Sequence, residues 1–348
     1  MSQQRRPRTR CGRCKEKAVI ELRRHSVAFC KDCFLVYCRS QVTKAIEKYD
    51  MLAPGDRVLV AVSGGKDSLA LWDLLIQLGW KADGLYLGLG IGGYSDRSGE
   101  VCAEFAESRG VKLVRHDLAA EHGFTIPQAA GPARARQRGK GAPAGRSSCS
   151  VCGLSKRYVF NSTALAGGYD VVATGHNLDD EAAVLFGNTL RWDTVSMSRQ
   201  FPVLQATRPG LIKKVKPLYR LAERETAAYC VLTGIDYVVE ECPLVAGNTQ
   251  MRHKETLNTM EEEVPGTKHE FLFGYLEKAA HLLEAADDHE LTACARCGMV
   301  TQVPVDGEEP VCAFCRTRAR MAVQLAQAPP APAEPDHEPD HEPVEVTG

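Results

Sequence analysis

Residues 63–68 (SGGKDS) narrow the fold of this chain more than any other stretch. They follow an apolar run at 57–62 (RVLVAV) and precede an apolar helical stretch at 69–78. A short, continuous apolar run reads as a strand buried on both faces, and a glycine-rich turn from such a strand into a helix is the unit of a parallel α/β sheet. Gly64 and Gly65 let the backbone approach anionic oxygens, whose charge the loop N–H groups and the helix N-terminus stabilise. Lys66 adds a positive charge, and Ser63 and Ser68 add hydroxyls. The spacing is not that of a Walker loop. It points to a phosphate or pyrophosphate site of a different kind.

The same alternation continues along the chain. Strands are expected at 84–89, 111–116 and 170–174, and helices at about 34–52, 96–109, 151–166, 179–190, 222–233 and 250–283, with a long loop at 117–148. The fold class is therefore α/β, a doubly wound parallel sheet with helices on both faces. Residues 174–181 (TGHNLDDE) again place a strand end before a helix, with Asp179 and Asp180 in its first turn. Two readings stand for these carboxylates: helix capping, and a hold on Mg2+ at ATP phosphates, the latter sharper for Asp180 and both open for Asp179.

Ten of the fourteen cysteines fall in C-x2-C pairs. Cys11, Cys14, Cys30 and Cys33 have the spacing C-x2-C-x15-C-x2-C, and Cys294, Cys297, Cys312 and Cys315 have C-x2-C-x14-C-x2-C. Two residues between thiolates let one tight knuckle present both sulfurs to a tetrahedral ion, so each set reads as a closed structural Zn2+ site. Gly12 and Gly298 are expected to supply permissive backbone in these knuckles. Cys149 and Cys152 (CSVCG) stand apart, just ahead of a helix whose N-terminus would stabilise thiolates, and Cys242 is their candidate third member. Three such thiolates suit a 4Fe–4S cluster with one open iron, or else a persulfide on Cys149 or Cys242 that the other resolves. Cys38, Cys102 and Cys230 lie on apolar helical faces and read as core thiols.

The domain reading is an N-terminal zinc module at 1–33, a nucleotide-binding domain at 34–285, a C-terminal zinc module at 290–320 and a disordered acidic tail at 326–348. The tail from Pro329 holds six carboxylates and no Lys or Arg, so its removal takes the net charge from −1 to +5. Residues 131–146, with Arg134, Arg136, Arg138, Lys140 and Arg146, are either a solvated insertion or an arm that contacts phosphates. Further phosphate contacts are assigned to Arg5, Arg6, Arg8, Lys213, Lys214 and Lys216, each of which taken singly reads better as surface charge. No apolar run approaches the ~18–20 residues a membrane span needs, and residues 1–11 lack a signal-peptide core. A cytoplasmic location and no membrane partner are expected.

Taken together, SGGKDS, LGLGIGGYS at 87–95, CSVCG followed by Lys156-Arg157-Tyr158, TGHNLDDE, the Glu241-Cys242-Pro243 step and both zinc modules resemble the TtcA/TtuA family of tRNA 2-thiolation proteins. The likeness covers about residues 11–320 and is to the branch with a zinc module at each end, a branch acting on uridine 54 or wobble uridine 34. The family belongs to the PP-loop ATP pyrophosphatases, whose fold is that of the adenine nucleotide alpha hydrolases. The resemblance implies ATP contacts at Ala61, Ser63, Gly64, Gly65, Lys66, Asp67, Ser68, Leu87, Lys156, Gly175 and Asp180. It implies a 4Fe–4S cluster on Cys149, Cys152 and Cys242, and catalytic roles for Asp67, Lys66, Cys149 and Cys242. It also implies tRNA as substrate, a ubiquitin-like sulfur carrier with a C-terminal thiocarboxylate, and a homodimer. The implied reaction transfers AMP to the uridine C2 oxygen, after which sulfur displaces AMP. Uridine 54 is preferred to uridine 34. The rivals are another PP-loop adenylating enzyme, which has no use for the three cysteines, and a non-catalytic zinc-finger RNA-binding protein, which has no use for an intact SGGKDS.

Overall fold

A computed structural model of the chain describes residues 8–130, 147–245, 249–283, 290–304 and 307–327. The chain opens with a short hairpin, β1 (Ile20–Leu22) and β2 (Val27–Phe29), and a long helix, α1 (Lys31–Lys48). The nucleotide-binding core follows: β3 (Arg57–Val62), α2 (Lys66–Gln77), β4 (Lys81–Gly88), α3 (Gly92–Arg109) and β5 (Leu113–Asp117). Two short helices, α4 (Leu118–His122) and α5 (Ile126–Ala130), occupy part of the expected long loop. Next come α6 (Ser148–Ala166), β6 (Val171–Thr174), α7 (Leu178–Arg191), α8 (Thr194–Ser198), β7 (Val203–Leu204), β8 (Lys213–Val215) and α9 (Glu223–Thr233). The expected helix at 250–283 is broken into α10 (Thr249–Glu263) and α11 (Thr267–Gly274). The break is at Gly266, whose φ of 109° no helix accommodates. A last hairpin, β9 (Leu291–Ala293) and β10 (Val300–Gln302), and α12 (Ala313–Ala326) complete the described chain.

The main sheet has the order β5-β4-β3-β6-β8-β7. All pairings are parallel except β7 with β8, which is antiparallel and at the edge. This edge hairpin escaped the sequence reading because β7 has two residues and β8 (KKV) is mostly charged. The apolar run of β3 is explained by its two buried faces: Val58, Val60 and Val62 join the core under α1, α2 and α3, whereas Leu59 joins Leu85, Val172 and Ala164 under α6. Strand order reverses between β3 and β6, which opens a crevice at their carboxyl ends, the usual ligand position in open α/β sheets. Both nucleotide-site motifs lie there, after β3 and after β6.

The N-terminal module is not a detached bead. Cys33 already lies on α1, and Arg24 crosses to the core, where it pairs with Glu225 of α9 at 2.7 Å with both side chains buried. The C-terminal module packs on the opposite side. Tyr158 of α6 and Phe314 of α12 stack at 3.9 Å, and Cys294, Cys312 and Cys315 share an apolar cluster with Leu87, Leu89, Val151 and Val159. Cys38, Cys102 and Cys230 are buried, as expected of core thiols. No helix among the described residues is long and apolar enough to cross a membrane.

Candidate functional site

A cavity of about 490 Å3 fills the crevice. Ala61, Ser63, Asp67, Ser68, Leu87, Lys156, Gly175 and Asp180 line it, and so do Cys149, Cys152 and Cys242. Eleven of the expected site residues, from five separated motifs, thus face one space. Gly64, Gly65 and Lys66 do not line it. Gly64 shapes the loop instead: its φ is 75°, and a Cβ there would meet the Ser98 carbonyl oxygen at 2.9 Å. Gly65 is the N-cap of α2. The Ser68 hydroxyl donates to the Gly65 carbonyl (2.9 Å) and accepts from the Ser63 N–H (3.1 Å), which closes the loop on itself. Lys66 turns aside to Glu223 (2.6 Å) and Asp67 (3.1 Å).

The second motif packs directly against the first. Gly175 lies so close to α2 that a Cβ would stand 2.8 Å from the Ser68 nitrogen. Asn177 caps α7 in a reciprocal box with Asp180, and its amide also donates to Asp67 at 3.0 Å. Thr226 of α9 donates to the same Asp67 oxygen. Burial raises the Asp67 pKa; Lys66, Thr226 and Asn177 oppose that shift, and the nearby charge of Asp180 adds to it. Two carboxylates facing one cavity form a donor set suited to a divalent cation. Asp179 is not part of it. That side chain is buried, pairs with Lys268 and accepts from the Glu223 N–H at 2.7 Å, so it is structural.

Cys149 and Cys152 lie inside the first turns of α6, not ahead of it, with Ser147 as its N-cap. Despite that position, the Cys152 pKa is raised, chiefly by burial and also by Cys242 and Cys149, with Lys156 opposing. Burial, Cys242 and Cys152 raise the Tyr94 pKa as well. The three sulfurs do not all lie within 4.8 Å of one another, as the ligand atoms of each four-cysteine group do. Wider separation suits a multi-iron cluster and not one small ion.

In the terminal groups, Cys14 and Cys30 sulfurs are 3.4 Å apart, Cys14 and Cys33 3.7 Å, and Cys297 and Cys312 3.8 Å. Zn–S bonds of about 2.3 Å in a tetrahedron place sulfurs about 3.8 Å apart, so both groups fit that ion. The knuckles correct one expectation. Gly298 is left-handed (φ 72°), but the matching position in the first knuckle is Lys15 (φ 67°), not Gly12. Gly12 is needed for another reason, since a Cβ there would meet Val27 at 2.6 Å.

Of the expected phosphate contacts, Lys213 donates to the Asp50 carbonyl, Lys216 pairs with Glu181 at 2.7 Å, and burial with Arg157 nearby lowers the Lys214 pKa. Lys213 and Lys216 are thus engaged by partners within the chain, and all three are half-buried. Arg8 stays half-exposed near Glu21. Arg5, Arg6, the 131–146 segment and the acidic tail from residue 328 lie outside the described residues. Tyr94, His176, Asn177, Glu223, Thr226 and Lys254 border the site without having been singled out. Only Asn177 had a readable signal, as an N-cap type three residues before an acid.

The PP-loop domain model matches residues 36–244, and the model described as 2-thiouridine synthetase TtuA, N-terminal LIM domain, matches residues 10–35. A tRNA-5-methyluridine(54) 2-sulfurtransferase of Thermus thermophilus is 48% identical over 306 residues, which span 88% of this chain and 90% of that protein. The chain belongs to the TtuA family. A Pyrococcus horikoshii TtuA relative of the same name is 38% identical over 307 residues, covering 88% of this chain and 93% of its own length. In fold, this TtuA-family chain is similar to a solved structure, the U34-tRNA thiolase NcsA from Methanococcus maripaludis with its 4Fe-4S cluster. The TM-score is 0.71 at 23% identity, covering 90% of this chain and 96% of that one.

Proposed function

We propose that this protein is an ATP-dependent tRNA 2-sulfurtransferase that replaces the C2 oxygen of the 5-methyluridine at position 54 with sulfur. One observation carries the reading: the PP-loop carboxylate Asp67, the second-motif carboxylate Asp180 and the three thiols of Cys149, Cys152 and Cys242 line one cavity. The preference for position 54 rests on the names of the relatives at 48% and 38% identity.

The uridine C2 oxygen is a poor leaving group. Its attack on the α-phosphorus of ATP expels pyrophosphate and makes it a phosphate ester. Sulfur then adds at C2, the C2–O bond breaks, and AMP leaves with the original oxygen. No net redox change occurs. The loop N–H groups hold phosphate charge, joined by Lys66 once it leaves Glu223, and Asp67 either shares the divalent cation or moves a proton at the reacting oxygen. Bound to Asp180, Mg2+ would neutralise phosphate charge. Held by Cys149, Cys152 and Cys242, a 4Fe–4S cluster would leave one iron open to carry sulfur. Cys11, Cys14, Cys30 and Cys33, and Cys294, Cys297, Cys312 and Cys315, would each hold a structural Zn2+ and leave it no position open to chemistry. A carrier thiocarboxylate supplies sulfur by hydrolysis, its carboxylate taking the oxygen of water. We further assign the reaction to the cytoplasm, the assembly to a homodimer and the domains to 1–33, 34–285, 290–320 and 326–348.

The test combines metal content with product analysis. Anaerobically purified protein should hold about four irons and two zincs per chain. With unmodified tRNA, ATP and a thiocarboxylate donor it should release AMP and pyrophosphate and form 5-methyl-2-thiouridine. No AMP release in the presence of tRNA overturns the enzyme reading. Thiolation by iron-free protein takes the cluster out of the sulfur chemistry; if that activity requires a sulfane-sulfur donor, the outer sulfur of a persulfide on Cys149 or Cys242 attacks C2, and the other thiol then breaks the S–S bond and closes a disulfide.

A further inference from the structure

Five side chains of alternating charge run from one cavity carboxylate to the other. Asp67 pairs with Lys66 at 3.1 Å, Lys66 with Glu223 at 2.6 Å, Glu223 with Lys254 at 2.7 Å, and Lys254 with Asp180 at 3.0 Å. Lys254 is 16% exposed and comes from α10, a helix that no motif marks. It reaches Asp180 because α10 packs closely over α7, which carries Asp180 in its first turn. At Gly187, two turns along α7, a Cβ would stand 2.6 Å from the His253 ring, so only glycine permits that approach. Glu223 is the shared partner, with one oxygen on each lysine. Burial opposes its charge, but Lys254 and Lys66 outweigh burial and hold its pKa low. The carboxylate is thus a fixed anion that either lysine can lean on.

Asp180 has a single carboxylate, and the proposed reaction asks it to receive a divalent cation. An ammonium at 3.0 Å is already a cation at that oxygen. We propose that Lys254 is a positioning residue that competes with the divalent cation for Asp180, so that cation entry with ATP transfers Lys254 to Glu223 alone and loosens the Glu223 hold on Lys66. The inference rests on the reading of Asp180 as a cation ligand. It couples phosphate binding to α10, which begins at Thr249, seven residues after Cys242. No covalent step is involved.

The experiment is equilibrium ATP binding to the full-length protein, without tRNA, across a range of free Mg2+. Lys254→Met should lower the Mg2+ concentration at half-maximal ATP binding by about fivefold, the effect of losing a partly buried competing charge. Lys254→Arg, which keeps the charge, should stay near wild type. Thermal melting checks that each variant is folded, and Lys254→Gln replaces the Met variant if that one is not. An unchanged Mg2+ midpoint overturns the competition. So does weaker ATP binding at saturating Mg2+, which would make Lys254 a direct phosphate contact. Asp180→Asn separates the underlying reading: Mg2+ dependence that survives this change sinks the cation-ligand role itself. Dependence lost in Asp180→Asn but untouched in Lys254→Met sinks only the competition.

Discussion

Asp67 is where the two nucleotide motifs and α9 meet, since Asn177 and Thr226 both donate to it and Lys66 pairs with it. Such convergence holds one carboxylate orientation, which a proton-transfer or cation-binding group requires. Asp67→Asn keeps the shape and removes the charge, so tRNA-dependent AMP release should fall by about 10^2–10^4-fold with little change in melting temperature. A melting loss as large as the activity loss would make Asp67 a structural residue. The zinc knuckles carry a quieter residue-scale test. Lys15 is held left-handed, a conformation that costs an L-residue about 1–2 kcal/mol. Glycine there adds unfolded-state entropy worth about 0.4–1 kcal/mol. Lys15→Gly should therefore raise stability by about 0.5 kcal/mol in denaturant unfolding of the metal-loaded protein, and a decrease would contradict the knuckle assignment.

At the scale of elements, the β6–α7 turn and the PP-loop function as one unit because Gly175 has no side chain. Gly175→Ala forces a methyl against the Ser68 nitrogen and should weaken ATP binding about tenfold or more, a shift of roughly an ångström being enough for that. Unchanged affinity would show the two turns to be independent. Helix α11 carries a pH-sensitive contact. His269 stacks on Phe273 at 4.0 Å, and burial, with Arg24, Arg220 and His25 nearby and Glu277 opposing, lowers its pKa to about 4. A histidine depressed from its usual 6.5 favours the fold fully above pH 6.5, and that contribution is lost as pH falls toward 4. Stability measured from pH 7 to 4 should decline less steeply in His269→Phe than in wild type. Much of this level was readable: the limits of β3 match the apolar run, and α7 was placed to within a residue at each end. The β7–β8 edge was not, because two or three residues with lysines carry no periodicity.

Across the whole molecule, the two cysteine modules brace opposite sides of the nucleotide domain. On one side the buried Arg24–Glu225 pair spans the junction. Burial raises the Glu225 pKa to about 7 even beside Arg24, so without Arg24 the carboxyl takes up a proton and is left short of partners. Arg24→Met should destabilise by about 1–3 kcal/mol in denaturant unfolding, and Arg24→Met with Glu225→Leu should recover most of it. On the other side Cys294, Cys312 and Cys315 share an apolar cluster with Leu87 and Leu89, which line the cavity. Stripping the terminal metals with a chelator should lower the melting temperature and abolish ATP binding together. A melting curve indifferent to chelation would remove the structural role. From the sequence alone came the local chemistry: strand, phosphate loop, helix, the paired cysteines and the α/β class. These are set by residue spacing along one chain, where sterics and periodicity act over a few residues. What only the tertiary structure decided was partnership. Lys66 faces Glu223 instead of the cavity, Asp179 is buried against Lys268 while Asp180 lines the cavity, Lys213 and Lys216 are occupied, and Lys254 reaches Asp180 from 74 residues away. Such pairings depend on which helices pack together, and packing distance leaves no mark in local sequence.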